Sequence, residues 1–204
     1  VISVGSTLLG LANVPPLPPG TRYTAAVAGV LHSLALRSDG GIAAWGDNSL
    51  GQLQVPALPT GLTYTQIDAA YRHSIALRSD GLAIQIGYSG SPASPPPTPP
   101  TGTRYIDVAA AELGNLCTRS DGIIIGSGGN WGGRFTVPTP PPGTRFRKGA
   151  LGTNHAVGLL DDGRILQWGS SLGVTAPPAL PPGVVYVDVS SGTNYVLARR
   201  SDGQ

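Results

Sequence analysis

Methionine is absent from these 204 residues, and cysteine, lysine and glutamate occur once each, as Cys117, Lys148 and Glu112. Each shortage excludes something. One cysteine cannot build an internal disulfide framework, and with neither His nor Lys beside it in sequence Cys117 reads as a buried, inert thiol. Charged residues make up only 12 % and the net charge is +2, so charge alone implies neither nucleic acid nor an anionic membrane as partner. No apolar run is long enough to span a bilayer, and no signal-peptide pattern is present. With Val1 first and no methionine, the sequence reads as a processed or excised segment. What it has in excess is 30 Gly and 20 Pro. Disorder is one outcome of such a composition, but disorder does not keep an apolar alternation in step over five copies.

That alternation is clearest in His32–Asn48, HSLALRSDGGIAAWGDN. Two short apolar runs flank Asp39-Gly40, the pair that most strongly marks a β-hairpin, because glycine takes positive φ without a Cβ clash. Asp-Gly recurs at 80–81, 121–122, 162–163 and 202–203, with glycine spacings of 41, 41, 41 and 40 residues. A second landmark keeps the same step. Gly20, Gly61, Gly102, Gly143 and Gly183 close Pro-rich connections, each followed three residues later by Tyr23, Tyr64, Tyr105, Phe146 or Tyr186. The glycines supply turn conformations, and the rings are predicted to pack between neighbouring sheets.

Unit two shows the expected plan. GIAAWG is a strand, LQVP a short strand, LTYTQIDAA a strand and SIALR a fourth, each reversing the last. Such a meander closes locally at low entropic cost. The third unit departs most, because Ser89–Thr101 is a polar, Pro-rich run that cannot supply ladder donors. The last unit carries a deletion between Gly169 and Pro177.

Four strands in about 41 residues fit a propeller blade, whose period is about 40–45 residues in rings of roughly 4–8 blades. The expectation is therefore all-β: one domain over residues 1–204, a β-propeller of about five four-stranded blades. Val1–Gly5 corresponds to the strand after an Asp-Gly turn, and Gln204 follows such a turn. Pairing of Val1–Gly5 with the last hairpin would close the ring and leave no open edge.

Ala28-Gly29, His32–Leu36, Asp39-Gly40, Trp45–Asn48, Gly51-Gln52 and Val55-Pro56 together resemble the repeat of the regulator of chromosome condensation family. The short, Pro-punctuated form is most similar to bacterial members, among them secreted propellers that inhibit β-lactamases. The resemblance implies a propeller and a binding role, although fold alone does not carry function across. It also implies that the repeated His belongs to the fold signature.

No constellation points to catalysis. His32, His73 and His155 occupy one repeated position on three units, which spreads them around a ring. A zinc ion needs its ligands within about 2.0–2.1 Å, so these read as strand-capping residues at the blade's upper edge. The turn aspartates are equivalent to one another, and no pair stands out as an acid–base couple. Gly126–Gly133 leads from strand to strand and not into a helix, which argues against a dinucleotide site. The sequence therefore predicts no enzyme, no cofactor and no metal.

Antiparallel order puts the Asp-Gly turns on one face, the lower, with Arg37, Arg78, Arg119 and Arg200 beside them as a solvated rim. On the opposite, upper face the loops differ from unit to unit, as befits a rigid scaffold displaying a binding surface. Its candidate anchors are Trp131, Tyr71, Arg72, Tyr195, Tyr88 and Asn130, since interface energy concentrates in such residues. The expectation is a monomeric, non-catalytic interaction module for a protein or an extracellular polymer, with no nucleic acid and no transmembrane segment, placed outside the bacterial cytoplasm. A five-bladed lectin is the competing reading, and it requires near-identical pockets on every blade.

Overall fold

The computed structural model of the chain describes residues 1, 8–90, 94–170 and 176–204, and there the repeat folds into antiparallel sheets. Sheet 1 holds β1 (Tyr23–Ala28), β2 (His32–Arg37) and β3 (Ile42–Gly46). Sheet 2 holds β4 (Tyr64–Ala69), β5 (His73–Arg78) and β6 (Ala83–Gly87), and sheet 3 holds β7 (Tyr105–Ala111), β8 (Gly114–Arg119) and β9 (Ile124–Gly128). Sheet 4 holds β10 (Phe146–Leu151), β11 (His155–Leu160) and β12 (Ile165–Gly169), and sheet 5 holds β13 (Tyr186–Ser191) and β14 (Val196–Arg200). Strand order follows chain order in every sheet, as a meander requires.

The Asp-Gly turns do two jobs. In sheet 1, Gly40 N–H donates to Arg37 O at 2.9 Å and Arg37 N–H to Gly41 O at 2.8 Å. That is a three-residue hairpin loop with Gly40 at φ 79°. The turn also abuts the next sheet. A Cβ built on Gly40, Gly81, Gly122 or Gly163 would lie 2.2–2.5 Å from Thr63, Arg104, Arg145 or Val185, respectively. The same glycine carbonyls accept the N–H of Tyr64, Tyr105, Phe146 and Tyr186 at 2.8–3.2 Å. One small residue therefore turns one sheet and seats the next.

The core lies in these seams. Leu34 and Leu36 pack on Tyr64 and Ile67, Ile75 and Leu77 on Tyr105 and Val108, and Val157 and Leu159 on Tyr186 and Val189. Each such aliphatic side chain, once buried, stabilises by about 1.5–3 kcal/mol. A β-bulge follows the aromatic in every first strand, as between Tyr64 and Gln66. The extra residue lets Tyr64 and Ile67, three apart, share the face toward the preceding sheet. Tyr64, Tyr105 and Tyr186 are buried and Tyr23 half-buried, and each has a further tie: Tyr64 Oη donates to Pro56 O at 2.9 Å, and Tyr23, Tyr105 and Tyr186 do the same eight residues back.

One expectation needs correction. The fourth strand of each unit does not form: Leu53–Pro56 runs outside any ladder, because Pro56 has no N–H and Gln54 and Val55 donate locally to Gly51 and Leu53. Sheets 1–4 have three strands each, and sheet 5 has two among the described residues. The predicted pairing of Val1–Gly5 falls largely outside the described residues, as does most of the deletion after Gly169. Among the described residues sheet 5 is not followed by a packed neighbour as sheets 1–4 are, and none of them lies within 4 Å of a Cβ placed on Gly203. Leu197 is 64 % exposed where Leu34, Ile75 and Val157 are at 0 %, and β1 is mostly exposed where β7 is mostly buried.

Candidate functional site

The bulges that turn Tyr64 and Ile67 backward turn the alternate residues forward, onto the next sheet. Gln66 Nε2 donates to Asp107 Oδ1 at 2.9 Å and to Val108 O at 3.1 Å, and Val108 N–H donates back to Gln66 Oε1. Asp68 accepts Ala110 N–H at 2.8 Å, Asp107 accepts Gly149 N–H at 3.0 Å, and Lys148 Nζ pairs with Asp188 at 2.6 Å. Gln66, Asp68, Lys148 and Asp188 line a polar cavity of about 320 Å3 between β4, β7, β10 and β13. Burial pushes the Asp68 carboxyl up to about 6, with the amides of Ala110 and Ala69 opposing. Asp107 is also raised, chiefly by burial. The acids here satisfy backbone donors of first strands that have no ladder partner on that edge, so their work is structural. The spacing was visible in sequence: Gln66, Asp107, Lys148 and Asp188 each stand two residues after the repeated aromatic.

The histidines work the same way. They are buried to 0–1 %, and each reaches across a seam rather than capping its own strand. His32 Nε2 lies 2.7 Å from Ser74 Oγ, His73 Nε2 3.1 Å from Asn115 Oδ1, and His155 Nε2 2.9 Å from Ser191 Oγ. Asn115 Nδ2 already donates to Gln85 Oε1 and Ser94 O, so its Oδ1 accepts and His73 Nε2 carries the proton. Burial lowers all three, His73 to about 4. Among the described residues no three His, Cys, Asp or Glu approach closely enough to hold a metal.

Sheet 3 has Gly114 where a histidine is due, and Arg134 fills the space. A Cβ on Gly114 would lie 2.6 Å from Arg134 Nη2. The guanidinium is fully buried, donates to Gly129 O, Gly152 O and Thr153 O at 2.7–3.2 Å, and sits 4.8 Å from the Trp131 ring centre and 5.0 Å from that of Phe135. Burial lowers its pKa to about 10. Arg134 thereby ties sheet 3 to sheet 4 and fixes the loop carrying Trp131. No direct sign of it is legible in the repeat, which reserves no position there for arginine.

On the upper face the loops after all five first strands surround one depression of about 400 Å3, whose lining includes Val30, Tyr71, Glu112, Thr153 and Thr193. Glu112 is held at φ 46°, a conformation that costs a non-glycine residue energy, and its carboxylate accepts Thr153 Oγ1 at 3.3 Å. Of the predicted anchors, Tyr71 lines the depression and Arg72 lies 5.2 Å from its ring centre. Trp131, 38 % exposed, covers Gly129 at the outer rim and joins the depression only through Arg134 and Thr153. Asn130 Oδ1 accepts Phe135 N–H at 2.7 Å within that loop. Tyr195 lines a separate groove beside β14, and Tyr88 lies over Gly90. Glu112, Thr153 and Thr193 were not among the predicted anchors.

The lower face is electrically quiet. Arg37, Arg78, Arg119 and Arg200 each pair with the turn aspartate two residues on, and Arg164 pairs with Asp162 where Leu160 breaks the series. Among the described residues no helix is long and apolar enough to cross a membrane.

Successive sheets joined through their first strands, with loops gathered at one mouth, define a β-propeller fold. Residues 24–52 match the family model described as the regulator of chromosome condensation (RCC1) repeat, and the fold is RCC1-like. Human WBSCR16 superimposes with a TM-score of 0.74 at 19 % identity, covering 89 % of this chain and 60 % of its own. Prp20p of Saccharomyces cerevisiae gives 0.69 at 20 %, covering 87 % and 55 %. The ectodomain of the Arabidopsis thaliana receptor kinase ACR4 gives 0.60 at 19 %, covering 86 % and 74 %. The chain thus spans little more than half the length of the first two. No curated protein matches the sequence.

Proposed function

We propose that the chain is a non-catalytic binding module that holds a protein partner at the upper mouth, its five units acting as blades of one domain over residues 1–204. The observation that carries this reading is the depression ringed by the loops of all five units, four sequences among them, with the stacked Tyr71–Arg72 pair and the strained Glu112 on its wall. Strain of that kind persists where the surroundings enforce it, and it clusters at functional sites. A lectin would repeat one pocket on each blade, whereas of these loops only Gly152-Thr153-Asn154 and Gly192-Thr193-Asn194 share a sequence. Prp20p, a neighbour in fold, has been studied for its binding to Gsp1p and histones and solved with Kap60, so the scaffold supports protein recognition elsewhere. Extracellular placement belongs to the same reading and rests on the sequence resemblance.

The test is capture of partners from the source organism with wild type, Tyr71→Ala, Glu112→Gly and the lower-face control Arg164→Ala. Glu112→Gly relieves a positive φ, so its stability should hold or rise by about 0.5–1 kcal/mol. The same protein should be lost by the two upper-face variants and kept by the control. Equal capture by all four, or several sugar equivalents per chain on a glycan array, would refute the reading.

A further inference from the structure

The connection from β6 to β7 departs from its counterparts in a way the fold does not require. Two prolines three residues apart recur in every unit, as Pro56 and Pro59 in the second and Pro97 and Pro100 in the third. The residues just before them turn inward. Val55 and Leu58 pack on the core between sheets 1 and 2, Val137 on that between sheets 3 and 4, and Leu180 on that between sheets 4 and 5. Every other unit keeps an aliphatic side chain at one or both of these positions, whereas the third has Pro96 and Pro99. With Pro95 added, this unit has exchanged core-packing side chains for a stiff run of Pro-Pro-Pro-Thr-Pro-Pro.

The run is extended and joins no ladder, and within it only Thr98 has an amide N–H. Its exposure has a period of three: Pro96 and Pro99 are half-buried, while Pro95, Pro97, Thr98 and Pro100 are exposed. That is the period of a polyproline II helix. The backbone is anchored in the same step. Ser94 O accepts Asn115 Nδ2 at 3.1 Å, Pro97 O accepts Tyr105 Oη at 2.8 Å, and Pro100 O accepts Thr103 N–H at 3.0 Å. Among the described residues no donor reaches the carbonyls of Pro95, Pro96, Thr98 or Pro99. One ridge of the helix therefore faces the protein, and two ridges and a set of carbonyl acceptors face outward. We infer that residues 94–101 are a preorganised polyproline ligand that docks in the aromatic-lined groove of a partner protein. Rings of the groove pack against Pro97, Pro100 and Pro95, and its indole or phenol donors bond the outward carbonyls. A backbone already fixed loses little freedom on docking. The segment shares no residue with the upper mouth, so the two readings stand or fall separately.

The probes are purified SH3, WW and EVH1 domains, whose aromatic grooves hold polyproline, each dye-labelled and titrated with the intact chain by fluorescence anisotropy. At least one should bind saturably with a Kd below about 1 mM, and replacing an aromatic residue of its groove by alanine should abolish the binding. Pro95→Glu combined with Thr98→Glu charges one exposed ridge and leaves Pro96, Pro99 and the three anchored carbonyls in place. That double variant should bind about tenfold more weakly or worse, with an unchanged melting temperature. Gln54→Glu combined with Ala57→Glu alters the same two exposed positions of the second unit's connection, and should bind as wild type does. No binding by any of the three domains would overturn the proposal. So would undiminished affinity of the Pro95 and Thr98 double variant, or an equal loss in the Gln54 and Ala57 control.

Discussion

Lowering the pH should weaken this fold through its buried histidines, and His73 allows the effect to be sized. Its ring is wholly buried, with Nε2 donating to Asn115, and burial depresses it from 6.5 to about 4. The Asn115 bond opposes the shift, while the His32 ring and the buried Arg134 add to it. Below pH 6.5 the unfolded chain gains a proton that the folded chain refuses, so stability is full above that value and is lost as pH falls toward 4. The shift of 2.5, from 6.5 to about 4, corresponds to roughly 3 kcal/mol for His73 alone. His32 and His155 act with the same sign. Asp68, raised to about 6, acts oppositely: the folded chain holds its proton more tightly, so its contribution grows as pH falls from 6 toward 3.8.

The measurement separates these by difference. Urea unfolding of wild type and His73→Asn is followed at pH 7.5 and 4.5, and each protein's loss over that interval is recorded. The asparagine variant starts lower, because the bond to Asn115 is altered, but it lacks the titrating ring. Wild type should lose about 2–3 kcal/mol more than the variant across the interval. Identical losses would show that His73 is not held neutral in the fold, and the inter-sheet bond assigned to it would have to be withdrawn.

Two other substitutions test the seams. Gly81→Val places a β-branched residue at φ 83° with its Cβ 2.3 Å from that of Arg104, and should cost about 2 kcal/mol or more in thermal or urea unfolding. Asp80→Asn, at the exposed neighbour whose partner is Arg78, should cost about 1 kcal/mol or less; the reverse order would refute the turn assignment. Arg134→Ala should lower stability by about 3 kcal/mol through a buried void and three freed carbonyls. Adding Gly114→His to that variant should recover part of the loss, and no recovery would sink the substitution of arginine for histidine.

What the sequence made legible was whatever repeats. A period of 41 residues, the Asp-Gly hairpins, the Pro-rich connections and the aromatic three residues after each closing glycine all specify local backbone, and all appear where the pattern put them. The fourth strand was misjudged because Leu53–Pro56 has strand-like residues, but a proline at its end and local turn bonds keep it out of a ladder. The histidines were placed at the right edge and given the wrong partner. A periodic pattern shows that a residue recurs, and it does not show whether its side chain turns toward its own strand or the next sheet. The β-bulge decides that here, and a bulge leaves no residue type that marks it.

The site was less legible than the scaffold for a related reason. Functional loops are the part of a repeat free to vary, so period-based reasoning can name them only by their departure from the pattern. It favoured large aromatics, and so chose Trp131 and Tyr195, which the structure separates from the central mouth. It passed over Glu112, the single glutamate, because an exposed acid in a loop carries no pattern. The strained backbone that marks Glu112 exists only in three dimensions. The same holds for Arg134. Gly114 was visible as a gap in the histidine series, yet the residue that fills it comes from 20 positions further along the chain. A broken period in a propeller is therefore a place to look for a compensating side chain from the neighbouring outer loop. In this chain that search leads from Gly114 through Arg134 to Thr153 and Glu112 on the wall of the upper mouth.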